Sequence, residues 1–163
     1  VVFVKGDAMK IMAQYKDGSL EVEGERSDVK DDTISGYRLV ENLRSLPALV
    51  DAVFLSPPWG GMDYLKIGRK CYGLECIHIN ETEHDGNAIL EEASNALPSD
   101  GGVMVYFLPR NTNGYSVGCS LFKSGYDSCT MEQNVLNGKL KTITVYCTKR
   151  SKVSPDSPAG NAG

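Results

Sequence analysis

Apolar and polar positions change period repeatedly along the chain. Val1–Val4 is a short apolar run closed by Lys5-Gly6-Asp7, which predicts a buried strand. Asp7 stands where a helix N-cap belongs, and Met9, Ile11, Met12 and Tyr15 supply apolar positions for the helix after it. Tyr37–Leu46 has helical spacing through Leu39, Val40, Leu43 and Leu46, and Pro47 stops it. Asp51–Leu55 is a second apolar strand, broken sharply by Ser56-Pro57-Pro58. Residues 60–87 show no period. Ala88–Leu97 is helical, with Ile89, Leu90, Ala93 and Leu97 on one face. Gly102–Leu108 reads as a strand between Gly101-Gly102 and Pro109, and Tyr115–Lys123 as a weaker helix. Met131–Val135 and Leu140–Cys147 flank Asn137-Gly138, the favoured two-residue hairpin turn. Strands alternating with helices, then a closing hairpin, predict an α/β fold, mostly parallel with an antiparallel edge.

A length of 163 residues suits about one domain, and 23% charged against 41% hydrophobic residues is ordinary globular usage. This excludes collagen-like, wholly disordered and disulfide-scaffold proteins. No apolar run approaches the roughly 18 residues of a membrane span, so no membrane partner is expected. No secretory leader is visible, and the five cysteines read as reduced thiols of a cytosolic or nuclear protein. The formal charge of −4 is unevenly spread. Residues 17–36 carry seven acids against Arg26 and Lys30, a net −5, so the remainder carries +1. That segment is expected to be a mobile acidic surface insertion, and residues 151–163 a disordered tail. Lys139, Lys141, Lys149, Arg150 and Lys152 form an acid-free basic stretch that suits phosphates.

The chemistry concentrates in Asp51-Ala-Val-Phe-Leu-Ser-Pro-Pro-Trp-Gly-Gly-Met-Asp-Tyr64. In open α/β sheets, sites lie beyond the carboxyl ends of strands. Pro57 and Pro58 fix φ and remove two N–H donors, leaving rigid carbonyls as bare acceptors. Ser56 adds an acceptor at the strand tip, and Trp59 adds a flat stacking surface. This set suits a planar exocyclic amine whose lone pair is aimed at an electrophile. The bland alternative is a tight turn with Trp59 as a core anchor.

Strand–[Asn/Asp/Ser]-Pro-Pro-[aromatic] resembles the signature of S-adenosylmethionine-dependent methyltransferases acting on exocyclic amines. The fuller string Val53–Gly61 with Asp63-Tyr64 is similar to the trimethylguanosine synthases, RNA cap guanosine-N2 methyltransferases. The resemblance resumes at Tyr106-Phe-Leu-Pro-Arg-Asn111 and runs through Glu132–Tyr146. Met62 stands where the family has Pro.

The resemblance implies a Rossmann-like class I methyltransferase fold. It implies S-adenosyl-L-methionine as cofactor and 7-methylguanosine-capped RNA, including small nuclear and nucleolar RNAs, as partner. It implies a monomer in the nucleus or nucleolus, with the cytoplasm as a further location. Asp7 would hydrogen-bond the donor's adenine amine. Ser56, Pro57 and Pro58 would line the guanine N2 being methylated, with Ser56 also touching the donor. Trp59 would stack on the cationic 7-methylguanine. Arg110 and Asn111 would contact cap phosphates, with Lys139 and Lys141 as weaker candidates. The guanine N2 would attack the donor methyl in line, so proximity and orientation carry the catalysis and no strong general base is needed.

No G-x-G turn occurs in the sequence. Residues 1–150 are therefore expected to be a partial catalytic domain whose first two strands are missing, weakly active or inactive alone. Two alternatives stand beside the cap enzyme. One is a truncated or degenerate relative that binds capped RNA or a partner without turnover. The other is a methyltransferase for a different exocyclic amine in nucleic acid. Cys71, Cys76, His78 and His84 fit no common zinc spacing, so no metal is expected. Asn80-Glu-Thr82 is a chance sequon. Tyr106, Phe107, Tyr115, Phe122 and Tyr126 read as core, whereas Tyr64 belongs near the motif.

Overall fold

The computed structural model describes residues 2–4, 7–20, 32–34, 37–40, 46, 48–68, 71–79 and 84–149. The tail 151–163, the sequon and much of the acidic segment lie outside the described residues.

The sheet that carries the candidate site has four strands in the order β6 (Ala52–Leu55), β7 (Val103–Pro109), β9 (Lys139–Thr148), β8 (Ser128–Leu136). β6 and β7 are parallel, with Leu55 opposite Tyr106. The β8–β9 hairpin joins antiparallel through β9. Its turn is Asn137-Gly138, with φ of 52° and 70° at the two positions, as a type I′ turn requires. Alternate β7 residues Met104, Tyr106 and Leu108 are fully buried, and Ile143, Val145 and Cys147 of β9 sit beside them. Helices α2 (Gly86–Ala96) and α3 (Gly114–Lys123) complete this core with Ile89, Leu90, Ala93, Val117 and Leu121. The Asp85 and Asn113 carboxylate and amide oxygens cap the two helices. Gly86 is required where α2 meets the loop before it: a Cβ there would lie 2.5 Å from the Leu74 carbonyl oxygen.

A smaller three-stranded sheet orders β1 (Val2–Val4), β5 (Tyr37–Val40) and β4 (Asp32–Ile34), with β1 and β5 parallel. Helix α1 (Ala8–Met12) follows β1, capped by Asp7 as expected, and β2 (Tyr15–Lys16) pairs with β3 (Ser19–Leu20). The fold is α/β, with parallel pairing at β6–β7 and β1–β5.

Three expectations need correction. Tyr37–Val40 is a strand, not the start of a helix. Its aromatic and β-branched residues fit either period over so short a run, and pairing with β1 decides it. Residues 17–20 are ordered rather than mobile: Asp17 and Gly18 form the β2–β3 turn, and their N–H groups donate to Asn95 and Ala96 at 3.3 and 3.1 Å. Tyr115 and Phe122 are not core, being 83% and 74% exposed, because they lie off the Val117–Leu121 stripe of α3. Tyr106 and Tyr126 are buried as expected.

Candidate active site

The site grows from the carboxyl ends of two adjacent parallel strands. β6 ends at Leu55 and releases Ser56-Pro57-Pro58-Trp59; β7 ends at Pro109 and releases Arg110-Asn111. Gly60 and Gly61 follow with φ of 86° and 60°. Their left-handed backbone turns the chain from the Pro-Pro segment into a 3₁₀ helix, Gly61–Lys66. That turn brings Tyr64 back against Trp59.

Trp59 is held on several sides. Its Nε1–H donates to the Phe107 carbonyl at 3.2 Å. Its ring lies 5.4 Å from that of Phe107, tilted by 39°, and 5.7 Å from that of Tyr64, nearly edge-on. The Tyr72 hydroxyl donates to the Trp59 carbonyl at 3.1 Å. Burial, with Cys76 nearby, pushes the Tyr72 phenol up to about 12, so it remains a donor at neutral pH. Trp59 is half-buried and packs against the core, so part of the residue remains accessible at the strand end.

Asn111 fastens the end of β7 to the 3₁₀ turn that follows the Pro-Pro segment. Its Nδ2 donates to the Tyr64 carbonyl at 2.8 Å and the Ile67 carbonyl at 3.1 Å. Asn111 is 8% exposed, and its Oδ1 is buried without a hydrogen-bond partner. The same strand end also pairs with Tyr72: the Tyr72 N–H donates to Asn111 O, and the Asn113 N–H to Tyr72 O. Arg110, by contrast, is exposed.

Beside this latch runs an open cleft of about 700 Å³, lined by Leu65, Lys66, Ile67, Gly68, Arg110, Asn111, Lys139 and Leu140. Its charged lining is entirely cationic. Asp63 touches it only indirectly, through an exposed 2.6 Å ion pair with Lys66. A cationic cleft next to a stacking surface is chemistry for a base that carries phosphates.

Of the residues singled out from sequence, Ser56, Pro57, Pro58, Trp59, Arg110 and Asn111 share this one end of the sheet. Asp7 serves α1: its Oδ1 accepts from the Met9 and Lys10 N–H groups, and its Oδ2 lies 4.0 Å from Lys10 Nζ. No hydrogen bond or ion pair joins Asp7 to residues 56–59 among the described residues. α1 reaches the main core through Met9 and Met12. Tyr72 and Lys66 were not foreseen. Both sit in the aperiodic 60–87 stretch, where only long-range pairing gives them a role. Among the described residues no group of three or more His, Cys, Asp or Glu is placed to hold a metal, and no helix is long and apolar enough to cross a membrane.

The sequence pattern of the RNA cap guanine-N2 methyltransferases matches residues 1–150. The chain belongs to that family. The match spans β1 and α1 as well as the four-stranded sheet, so Asp7, Ser56–Trp59, Arg110 and Lys139 all lie inside it. As a methyltransferase family member, the chain needs a methyl donor and an amine held against it. The end of β6 carries the exposed Ser56, two prolines without N–H groups and the half-buried Trp59.

Proposed function

We propose that this chain carries the cap-recognising side of an S-adenosyl-L-methionine-dependent guanosine-N2 methyltransferase acting on 7-methylguanosine-capped small RNAs. One observation supports this above all: a half-buried Trp59, fixed through its N–H and its carbonyl, stands next to a cleft lined by Lys66, Arg110 and Lys139. The base of a 7-methylguanosine cap is a cation, and it gains roughly 0.5–2 kcal/mol from an indole face. The triphosphate that follows such a base suits the three cations.

Asp7 and Ser56 fit the donor in the acceptors they offer. The second Asp7 carboxylate oxygen is not used by the helix cap and lies at the outer limit of an exposed ion pair with Lys10, 4.0 Å away, and Ser56 is exposed at the strand tip. When bound, S-adenosyl-L-methionine supplies a methyl group on a positively charged sulfur. The chain's own residues do the rest by orientation. Trp59 holds the base plane, the Ser56–Pro58 acceptors hold the N2 hydrogens, and Arg110 with Lys139 holds the phosphates. A guanine N2 so held presents its lone pair in line, and the proton leaves after transfer.

The deciding experiment is methyl transfer from labelled donor by the protein. Caps bearing 7-methylguanosine are expected to be the preferred acceptors. Preference for an unmethylated cap or for adenine would overturn the reading. A second reading, cap binding without turnover, is favoured by the assembly of the stacking and phosphate residues from 56–68, 107–111 and 139–140 alone. This chain is expected to bind a cap analogue without donor. The nuclear or nucleolar location and the monomeric state belong to the same proposal.

A further inference from the structure

We propose that Cys129 and Cys147 form a redox modification site, a thiol pair that closes to a disulfide when the protein meets a peroxide. The two residues are direct partners in the β8–β9 register. Their side chains therefore project to the same face of the sheet.

The phase of the hydrogen bonding makes this a close pair. Beyond the end of β9, the Lys149 N–H donates to Gly102 O, and Lys149 O accepts from the Gly101 N–H, both at 3.1 Å. The peptide groups of Lys149 thus face the β7 side. Backbone groups alternate in direction along a strand, so those of Cys147, two residues earlier, face β7 as well. Toward β8, Cys129 and Cys147 are then a non-hydrogen-bonded pair, the narrow type, with Cα atoms about 4.5 Å apart. That lies within the roughly 4.4–6.8 Å a disulfide spans.

Exposure divides the roles. Cys129 is exposed at the edge strand, whereas Cys147 is 1% exposed. Burial, and next the neighbouring Cys129, push the Cys147 thiol up to about 12. Cys147 therefore stays protonated, and Cys129 meets the oxidant first. The Cys129 sulfur displaces water from hydrogen peroxide and becomes a sulfenic acid. The Cys147 sulfur then attacks the Cys129 sulfur, the S–OH bond breaks, and its oxygen leaves as water with the thiol proton. Two electrons pass from the sulfurs to the peroxide. Cys71, Cys76 and Cys119 lie in the loop before α2 and on α3, opposite neither strand cysteine in the register.

The test is to treat the folded full chain with a few equivalents of hydrogen peroxide and map its unreduced peptides. Two of the five thiols should disappear. One linked pair, Cys129 with Cys147, should be two hydrogens lighter and split again with dithiothreitol. The oxidised chain should melt at a higher temperature than the reduced one. Cys129→Ser, an exposed change that leaves the core intact, should abolish the link. A trapped sulfenic or sulfinic acid at Cys129 without a link in the wild-type chain would overturn the proposal. So would a link from Cys129 to another cysteine or to a second copy of the chain.

Discussion

The indole of Trp59 is committed at one edge: its N–H goes to Phe107, and the Tyr64 and Phe107 rings lie against it. The residue as a whole is only half-buried, and the proposed stacking uses the part that remains accessible. Trp59→Ala is therefore expected to abolish measurable cap-analogue binding, and Trp59→Phe to keep stacking while losing the anchor to Phe107. The cation–π gain of roughly 0.5–2 kcal/mol corresponds to about 2- to 30-fold preference for a 7-methylated over an unmethylated cap. Trp59 is the single tryptophan in the chain, so its fluorescence reports that titration directly. Equal affinity for the two analogues would remove the stacking role. The motif itself was legible at this scale, because Ser56-Pro57-Pro58-Trp59 carries its chemistry locally. The use of Asn111 was not. A polar residue next to Arg110 suggests a phosphate contact, yet burial turns its amide to two backbone carbonyls instead.

That amide acts between elements, joining the end of β7 to the 3₁₀ turn that carries Tyr64. Each such bond is worth about 0.5–1.5 kcal/mol, so Asn111→Ala is expected to cost about 1–3 kcal/mol in thermal or urea unfolding. It should also shift Trp59 emission, since Tyr64 leans on that ring; an unchanged spectrum would separate the latch from the stacking site. The cleft is likewise shared by elements, with Lys66 on the turn, Arg110 after β7 and Lys139 opening β9. Arg110→Ala and Lys139→Ala should each weaken capped-RNA binding regardless of sequence. Each should also reduce the slope of log K against log salt by about 0.7–0.9. An unchanged slope would place the phosphates elsewhere. At this scale the α2, β7 and hairpin patterns were readable from sequence, since periodicity and Asn137-Gly138 act over a few residues. Tyr37–Val40 was not, since its strand identity comes from β1, more than thirty residues away.

Across the molecule, the aperiodic stretch 60–87 contributes Tyr72, Leu74 and Ile77 to the core, each at most 1% exposed. No local period announces them, because they are buried in a cluster built with distant residues of β7, β9, α2 and α3. This has a consequence for stability. Burial raises the phenols of Tyr72 and Tyr126 to about 12, and the Cys147 thiol also to about 12. All three are neutral when protonated, and in the unfolded chain they ionise near their ordinary values of 10.0 for Tyr and 9.0 for Cys. Above those values the unfolded chain gives up protons that the folded chain still holds. Their contribution is fully present below about pH 9 and is lost progressively as pH rises toward 12. Urea midpoints are therefore expected to be flat with respect to these groups up to about pH 9 and to fall steeply from about pH 10. Tyr126→Phe removes one such group without touching the cap site and should flatten the alkaline decline. A variant with the same alkaline slope as the wild type would show that Tyr126 ionises without unfolding the core.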